Sequence, residues 1–346
     1  MRWIFGIDEA GYGPNLGPLC LGFSGWEVDG PEHVPAWQQA LTPSFQARPP
    51  RNPWGWIPLG DSKVLHAPGR SGSLLEEAVE VFLDLANRLA ARSPSSHVAF
   101  QPSPNKSPSR LWSNLLTDHD QNTLQAMPWY ASVETAEGER LTSTHASVAT
   151  EPLMEQAIGS LTRLGIQRLV LSAKAMEARQ FNREVERLGN KANVLTSTSL
   201  EMLRGQLERL AAESKQLPSS IELWCDKHGG RQRYSAALQH HFPDCWWTPL
   251  KEHPDCSHYR STWKGTPIEI RFLAKGDSLV PIGLASMIAK AIRELAMARW
   301  NHYWCSTMPD LKPTAGYPTD ARRFADQIGA EAMLRGWSPQ DWWRQV

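Results

Sequence analysis

Short apolar runs alternate along this chain with longer segments whose apolar residues recur at helical spacing. Residues 3–7 form the first apolar run, and residues 18–28 form a second, which we expect to pair with the first as a hairpin. Two more runs, at 167–172 and 221–225, also predict buried strands. The chain is therefore predicted to contain a sheet whose later strands are separated by helices.

Apolar residues at intervals of three and four predict helices in four segments: residues 73–91, 152–164, 200–210 and 281–300. The first of these has acidic residues near its start and Arg88 near its end, as the helix dipole favours. No fixed-period repeat is present, which argues against solenoids and propellers. We predict an α/β fold with a mixed central sheet flanked by helices, with insertions and a C-terminal helical part.

Segments rich in proline, serine and tryptophan interrupt this pattern. Residues 43–58 are rich in Pro and Trp, and residues 92–109 are rich in Ser and Pro, so we predict irregular loops there. A length of 346 residues permits one large domain or a core domain with insertions. We predict a single domain spanning residues 1–346, with insertions near 43–58, 92–150 and 235–267.

The composition narrows the class of protein. The 36 Lys and Arg balance the 36 Asp and Glu, so any surface for nucleic acid has to come from local clustering of charge. Five cysteines, an odd number, argue against a disulfide framework and favour a reducing compartment. The first strand begins directly after Met1, without an apolar signal region, and no run is long enough to span a membrane. We therefore expect a soluble, cytoplasmic monomer, in which most of the 16 tryptophans serve packing.

Four acidic residues follow extended apolar segments. Asp8 and Glu9 end the first strand, Asp226 ends the strand predicted at 221–225, and Asp277 lies after a further extended segment. Strand ends that are far apart in sequence can meet in space, and four carboxylates are enough to hold two Mg²⁺ or Mn²⁺ ions about 3.5 to 4 Å apart. The pattern predicts a two-metal site that acts on phosphates, with a solvated acidic turn as the alternative.

Glycines follow the first pair of carboxylates. Gly11 and Gly13 flank Tyr12, and they allow backbone amides to approach an anion. A second candidate for phosphate binding follows Asp226, where Arg231 and Arg233 lie in a basic stretch before a helix. The alternative for that stretch is a solvated basic turn.

Several other residues have less specific patterns. His228 is a candidate for proton transfer, although a loop histidine more often has no catalytic role. Lys290 and Arg293, on the helix predicted after Asp277, either approach a nucleic-acid backbone or face solvent, and we favour solvent. The cysteines and histidines of one segment raise the question of structural zinc, but their spacing matches no common zinc site, so packing or surface roles are favoured: they are Cys245, His253, Cys256 and His258.

The order of these motifs resembles ribonuclease HII, the type 2 ribonuclease H family, in a divergent form with insertions. The stretch from Asp8 to Pro14 is similar to the family's Asp-Glu followed by Gly-Arg-Gly-Pro. Three further elements match the family in the same order: Asp61-Ser62-Lys63, Gly276-Asp277-Ser278 with the helix at 285–290, and Gly316-Tyr317-Pro318-Thr319. These blocks cover about half of the chain.

The resemblance implies a ribonuclease H-like fold and a metal-dependent endonuclease, a phosphodiester hydrolase. Its substrate would be the RNA strand of an RNA–DNA hybrid or the bond at a ribonucleotide embedded in DNA. The family's metal-binding and catalytic carboxylates correspond to Asp8, Glu9, Asp226 and Asp277. Lys63 would lie near the scissile phosphate, with Ser62 beside it as a substrate-binding residue. The family's sensors of the 2′-hydroxyl, the mark that separates RNA from DNA, correspond to Gly11, Tyr12, Gly13 and Tyr317.

Tyr12 departs from the family pattern, because a tyrosine ring with one hydroxyl stands where the family has an arginine fork. This change and the insertions leave two alternatives open. One is a nuclease of the same fold with an altered substrate preference, for example for DNA or a structured nucleic acid. The other is a non-catalytic nucleic-acid-binding module, against which the four carboxylates argue, since without metal they would repel phosphate.

Overall fold

The computed structural model describes residues 1–42, 44–46, 55–60, 73–92, 110–131, 149–214 and 216–345. The predicted residues Ser62 and Lys63 lie outside these ranges. Nine strands are present in the described residues: β1 Arg2–Ala10, β2 Leu19–Val28, β3 Phe45–Gln46, β4 Ile57–Pro58, β5 Ile166–Met176, β6 Ser220–Asp226, β7 Thr248–Glu252, β8 Cys256–Trp263 and β9 Thr266–Leu273.

Eleven α-helices are present in the same ranges: Trp37–Leu41, Ser73–Arg92, Arg110–Leu115, Asp118–Gln125, Glu151–Arg163, Ala178–Leu188, Lys191–Glu213, Ser235–His241, Val280–Thr307, Pro318–Leu334 and Pro339–Trp342. Short 3₁₀ turns cover Val34–Ala36 and Gly276–Ser278. Among the described residues, none of these helices has the length and apolarity required to cross a membrane.

Seven of the strands form one mixed sheet in the order β5-β2-β1-β6-β9-β8-β7. The central strands β1, β6 and β9 run parallel, whereas β2 and β5 on one side and β8 and β7 on the other pair antiparallel. The predicted α/β class and the predicted hairpin of the first two strands are confirmed. The prediction of a single domain stays a prediction.

The position of each strand in the sheet explains its sequence pattern. β1 is central and covered on both faces, so its apolar run is nearly continuous. β8 lies nearer an edge, and its side chains alternate between buried and accessible positions, because one face of this part of the sheet is open to solvent. Runs like that of β1 were readable as strands from the sequence, whereas the alternation in β8 was not recognised.

The long helix Val280–Thr307 packs directly on β1 and β2 through two glycines. A Cβ atom on Gly6 would overlap the carbonyl oxygen of Pro281, and a Cβ atom on Gly22 would overlap that of Ala285. The Ser24 hydroxyl donates to the Pro281 carbonyl at 2.8 Å. Because glycine lets the helix backbone approach the sheet so closely, successive turns of the long helix follow β1 toward its carboxyl end.

Tryptophans pack against one another on this side of the sheet. The ring of Trp129 lies between 5.1 and 6.1 Å, centroid to centroid, from those of Trp300, Trp304 and Trp337. All four belong to or border the larger of two hydrophobic clusters, which together cover the two faces of the sheet. Packing therefore accounts for these tryptophans, as expected.

All three predicted insertions contain more regular structure than the sequence indicated, and the one near 92–150 contains the helices Arg110–Leu115 and Asp118–Gln125. Residues 235–267 contain a helix and the strands β7 and β8, which extend the main sheet. Within 43–58, the described residues contain the strand pair β3–β4 in place of a wholly irregular segment. The strands β3, β4 and β7, of two to five residues, leave too little periodicity in the sequence to be recognised.

Candidate active site

Three of the four predicted carboxylates, Asp8, Glu9 and Asp226, lie toward the carboxyl ends of the adjacent parallel strands β1 and β6. β1 and β6 pair in a register that sets Ile7 beside Cys225, so the residues that follow, Asp8 and Asp226, lie side by side. The backbone N–H of Gly276 donates to Asp226 Oδ1 at 3.1 Å, which joins the turn containing Asp277 to the end of β6. The structure thus brings together segments that are about 270 residues apart in the sequence.

Burial and charge both act on Asp8. Burial raises the pKa of Asp8 from its ordinary value of 3.8 to about 6. A hydrogen bond from Ser286 lowers this pKa, the charge of Asp226 raises it, and the charge of Lys290 lowers it. Ser286 and Lys290 are one turn apart on the long helix, so the close packing of that helix places a donor and a cation beside the carboxylate.

Glu9 lies in the same field of negative charge. Its pKa is raised well above the ordinary value, first by burial and then by the charges of Asp8 and Asp226. These three carboxylates therefore repel one another in a partly desolvated site. A set of carboxylate oxygens is the donor chemistry that Mg²⁺ and Mn²⁺ prefer, although no three His, Cys, Asp or Glu side chains in the described ranges are already arranged around a metal position.

The glycine-rich turn after β1 is held from the protein interior by two arginines. Gly11 adopts a φ of +86°, which glycine tolerates without strain. Arg344 donates to the carbonyl oxygens of Gly11 and Pro14. Arg293 donates to carbonyl oxygens farther along the turn, including that of Pro18 at 2.8 Å. Arg293 is only 5% exposed, so the expectation that it faces solvent is wrong.

Tyr12 lies between the carboxylates and the basic loop after β6. Partial burial raises the pKa of Tyr12, the charge of Glu9 raises it further, and the charge of Arg231 lowers it. The Lys191 ammonium lies 4.7 Å from the centroid of the tyrosine ring. A Cβ atom on Gly229 would come within 2.6 Å of the tyrosine hydroxyl, and only glycine leaves room there at a φ of +59°.

The basic loop combines structural and accessible side chains. Lys227 is buried and donates to the carbonyl oxygens of Arg231 and His253 and to a serine hydroxyl. Arg231 donates to the side chain of Asn193, and Arg233 is exposed, 3.7 Å from a glutamate on β7. Of these basic side chains, Arg231 and Arg233 are the ones with the accessibility that phosphate binding requires.

His228 is a buried structural residue. It is 1% exposed, and burial lowers its pKa to about 3. Its ring nitrogens lie 3.0 Å from Thr196 Oγ1 and 3.3 Å from Cys225 Sγ. A neutral imidazole fixed inside the protein does not exchange protons with a substrate, which agrees with the interpretation favoured from the sequence.

A cleft of about 640 Å³ extends from Glu9 along the long helix to Tyr317. Its lining includes Glu9, Gly11, Lys290, Asn301 and Tyr317. Tyr317 is 58% exposed and directly precedes the helix Pro318–Leu334. The Gly316 carbonyl accepts from the backbone N–H of Asn15 at 2.9 Å, which ties the segment of Tyr317 to the glycine-rich turn.

Gly60, the last described residue before the predicted Asp61-Ser62-Lys63 element, lies beside the site. A Cβ atom on Gly283, in the first turn of the long helix, would come within 3.0 Å of the Asp277 carbonyl oxygen and 3.3 Å of Gly60 Cα. The chain therefore enters that element next to the turn that contains Asp277.

The residues considered for zinc do not meet. His258 pairs with Glu269 at 2.9 Å, and the exposed His253 pairs with Asp255 at 3.3 Å. Cys245 is buried near Ser261. The described residues contain no group of three His, Cys, Asp or Glu side chains that could hold a metal ion.

Comparisons with known proteins found similar solved structures but no matching family model. No protein-family model matches it, and no curated protein matches it significantly. The solved structures similar to it include a chain of the PCNA–RNase HII complex from Archaeoglobus fulgidus, at 13% identity and a TM-score of 0.41, over 99% of this chain and 93% of that one. A second is ribonuclease H2 from Pyrococcus horikoshii OT3, at 14% identity and a TM-score of 0.36, over 98% of this chain and 92% of that one. A third is Bst-RNase HIII in complex with Mn²⁺, at 11% identity and a TM-score of 0.37, over 100% of this chain and 66% of that one. These values are too low to assign a family, so a functional conclusion has to come from the residues of this chain.

Proposed function

We propose that this chain is a metal-dependent endoribonuclease related to the type 2 ribonuclease H family. It would hydrolyse the RNA strand of RNA–DNA hybrids, or the bond at ribonucleotides embedded in DNA. The observation that carries the proposal is the meeting of Asp8, Glu9 and Asp226 at the ends of adjacent parallel strands, next to the turn of Asp277. Mutually repelling, desolvated carboxylates cost stability unless a cation neutralises them.

The proposed metal ligands are these four carboxylates. The chemistry that two bound Mg²⁺ or Mn²⁺ ions supply at such a site is activation of water and stabilisation of the leaving oxygen. Ser286 donates to Asp8 and so holds one carboxylate in place, and Lys290 adds positive charge on the same side of the long helix. Lys63 remains the predicted contact to the scissile phosphate.

Selection of ribose is proposed for the glycine-rich turn and Tyr317. The turn lies directly after the carboxylates, and the cleft connects it with the exposed Tyr317 ring. The amides of Tyr12 and Gly13 donate to no backbone carbonyl among the described residues, so they are open to a ligand. Arg231 and Arg233 would contact the nucleic-acid backbone from the opposite side of Tyr12, where positive charge attracts phosphate.

One observation favours an altered substrate preference. The Tyr12 ring carries the Lys191 ammonium on its face, so this position presents an aromatic surface and a flexible point charge in place of an arginine fork. The guanidinium of an arginine donates to planar groups in a fixed geometry, whereas the ammonium of a lysine accepts partners in several geometries. Cleavage of all-DNA duplexes at rates close to those for hybrids would support this second candidate.

The activity is tested with end-labelled duplexes that contain one ribonucleotide, a ribonucleotide tract, or DNA alone, each with Mg²⁺, Mn²⁺ or a chelator. Metal-dependent cuts confined to duplexes with ribose are the expected result. A folded protein that binds all three duplexes in chelator and cuts none in metal would instead be a binding module.

The metal assignment is tested by the double variant Asp8→Asn and Asp226→Asn. We expect it to remain folded and to lose cleavage. The matched control replaces two exposed aspartates, Asp244→Asn and Asp326→Asn, and should keep its activity. A folded double variant of the site that still cleaves would exclude the two-metal assignment.

A further inference from the structure

Residues 338–345, which we call the strap, connect the helix Ala178–Leu188 to the glycine-rich turn. At the helix end, Asn182 Nδ2 donates to the Trp343 carbonyl at 2.9 Å. At the turn end, the Arg344 N–H donates to the Asn15 carbonyl at 2.8 Å, and Asn15 Nδ2 donates back to the Arg344 carbonyl at 3.0 Å. The backbone of the strap is therefore hydrogen-bonded both to this helix and to the glycine-rich turn.

The Arg344 side chain is a buried charge with an unusual set of partners. It is 0% exposed and lies 4.9 Å from the centroid of the Phe181 ring. One guanidinium nitrogen, Nη2, donates to the carbonyls of Gly11 and Pro14, whereas Nε and Nη1 have no hydrogen-bond partner among the described residues. Burying a charge without a carboxylate beside it is costly. A role in fixing the two carbonyls explains why an arginine occupies this position.

The two carbonyls determine where the neighbouring amides point. In a trans peptide the C=O and the next N–H point in opposite directions. Because the Gly11 carbonyl is turned inward to Arg344, the Tyr12 N–H is directed away from the protein interior. Likewise, the Pro14 carbonyl fixes the plane of the Asn15 N–H, which donates to the Gly316 carbonyl at 2.9 Å. A single side chain thus sets the direction of the Tyr12 amide and the attachment of the segment that bears Tyr317.

We propose that Arg344 is a positioning residue for ribose recognition: it holds the glycine-rich turn and the Tyr317 segment in the relative arrangement that reads a 2′-hydroxyl. This inference rests on the proposed function. Arg344 itself touches no substrate, and it acts through the peptide planes at Gly11 and Pro14. The strap is then a part of the recognition site that lies more than 300 residues after the turn it supports.

The variant Arg344→Lys tests this role, because it keeps the charge but its side chain is one bond shorter, so the ammonium falls short of the position from which Nη2 donates to both carbonyls. Arg335→Lys is the matched control, since Arg335 is exposed and pairs with Glu331 one turn away. Binding of duplexes with one ribonucleotide or with DNA alone is measured in Ca²⁺, together with hydrogen exchange of the backbone amides at 11–17. Circular dichroism verifies that each variant is folded.

We expect Arg344→Lys to lower the preference for the ribonucleotide duplex at least fivefold, to change affinity for the DNA duplex less than twofold, and to speed exchange at 11–17. Arg335→Lys should match the wild type in all three measurements. An unchanged preference, or equal losses for both duplexes without faster exchange in the turn, would overturn the proposal. If the wild type itself shows no preference for ribose, the proposed function fails. In that case, hydrogen exchange at 11–17 still tests whether Arg344 positions the turn. Unchanged exchange in Arg344→Lys would exclude that role.

Discussion

The variant Asp8→Asn should stabilise the metal-free protein although it removes a proposed metal ligand. Burial and neighbouring charge raise the pKa of Asp8 from 3.8 to about 6, which corresponds to about 3 kcal/mol against the charged form. Between these two pH values the native state binds more protons than the unfolded state, so stability falls as pH rises through this window. Asparagine has no charge to bury and keeps an oxygen that accepts from Ser286.

The assay is urea unfolding in chelator between pH 4 and pH 8. Asp8→Asn and wild type should have similar free energies of unfolding near pH 4, and the variant should gain up to about 3 kcal/mol by pH 8. The exposed Asp326→Asn serves as the control and should follow the wild type throughout. Adding Mg²⁺ should stabilise wild type more than the variant.

A variant that is less stable than wild type at pH 8 in chelator would refute the reasoning. The same holds for a stability difference that does not change between pH 4 and pH 8. Either result would mean that the Asp8 carboxylate is not under strain in the folded protein, and the electrostatic case for a cation at this position would then be lost.

Three further predictions concern packing, chemistry and specificity. Gly22→Ala should destabilise the protein by about 3 kcal/mol or more, because the added Cβ overlaps the Ala285 carbonyl. Thermal unfolding measures this loss. Gly205→Ala is the control, because a Cβ at Gly205 meets no atom within 4 Å. His228→Asn should lower stability by about 1–3 kcal/mol and leave the pH dependence of cleavage unchanged, whereas a shifted pH profile would give His228 a catalytic role. Tyr12→Arg should strengthen selection for a DNA–RNA–DNA junction in competitive cleavage, and unchanged selectivity would place ribose sensing elsewhere.

The strands β1 and β2 were predictable because they are buried on both faces, which gives them nearly continuous apolar runs. In β6, buried and accessible positions alternate over a short β-rich run, and the carboxylates Asp8 and Asp226 mark where the apolar residues of β1 and β6 end. Neighbouring positions of Asp8 and Asp226 follow once those strands are parallel neighbours, as the structure places them. The pairing of β6 with β1 was not readable, since it depends on contacts between residues more than 200 positions apart in the chain.

The two arginines that hold the glycine-rich turn were not identified from the sequence, for a related reason. Arg293 and Arg344 have the sequence context of surface cations, and burial of an arginine leaves no local pattern in the sequence. Their role comes from carbonyls of the turn at 11–18, which are far away in the chain. The sequence does indicate that such donors are needed. A glycine-rich turn has many carbonyl oxygens and few side chains of its own to donate to them, so donors from elsewhere in the chain are required.

The same close packing gives this molecule both its core and its proposed chemistry. Gly6 and Gly22 let the long helix lie against the backbone of β1 and β2, and this contact carries Ser286 to Asp8 and sets Lys290 one turn farther along. A side chain at either glycine would lift the helix and move both groups away from the carboxylate. Apolar burial along the rest of the helix therefore offsets part of the stability that is lost where the three carboxylates meet at one end of the sheet.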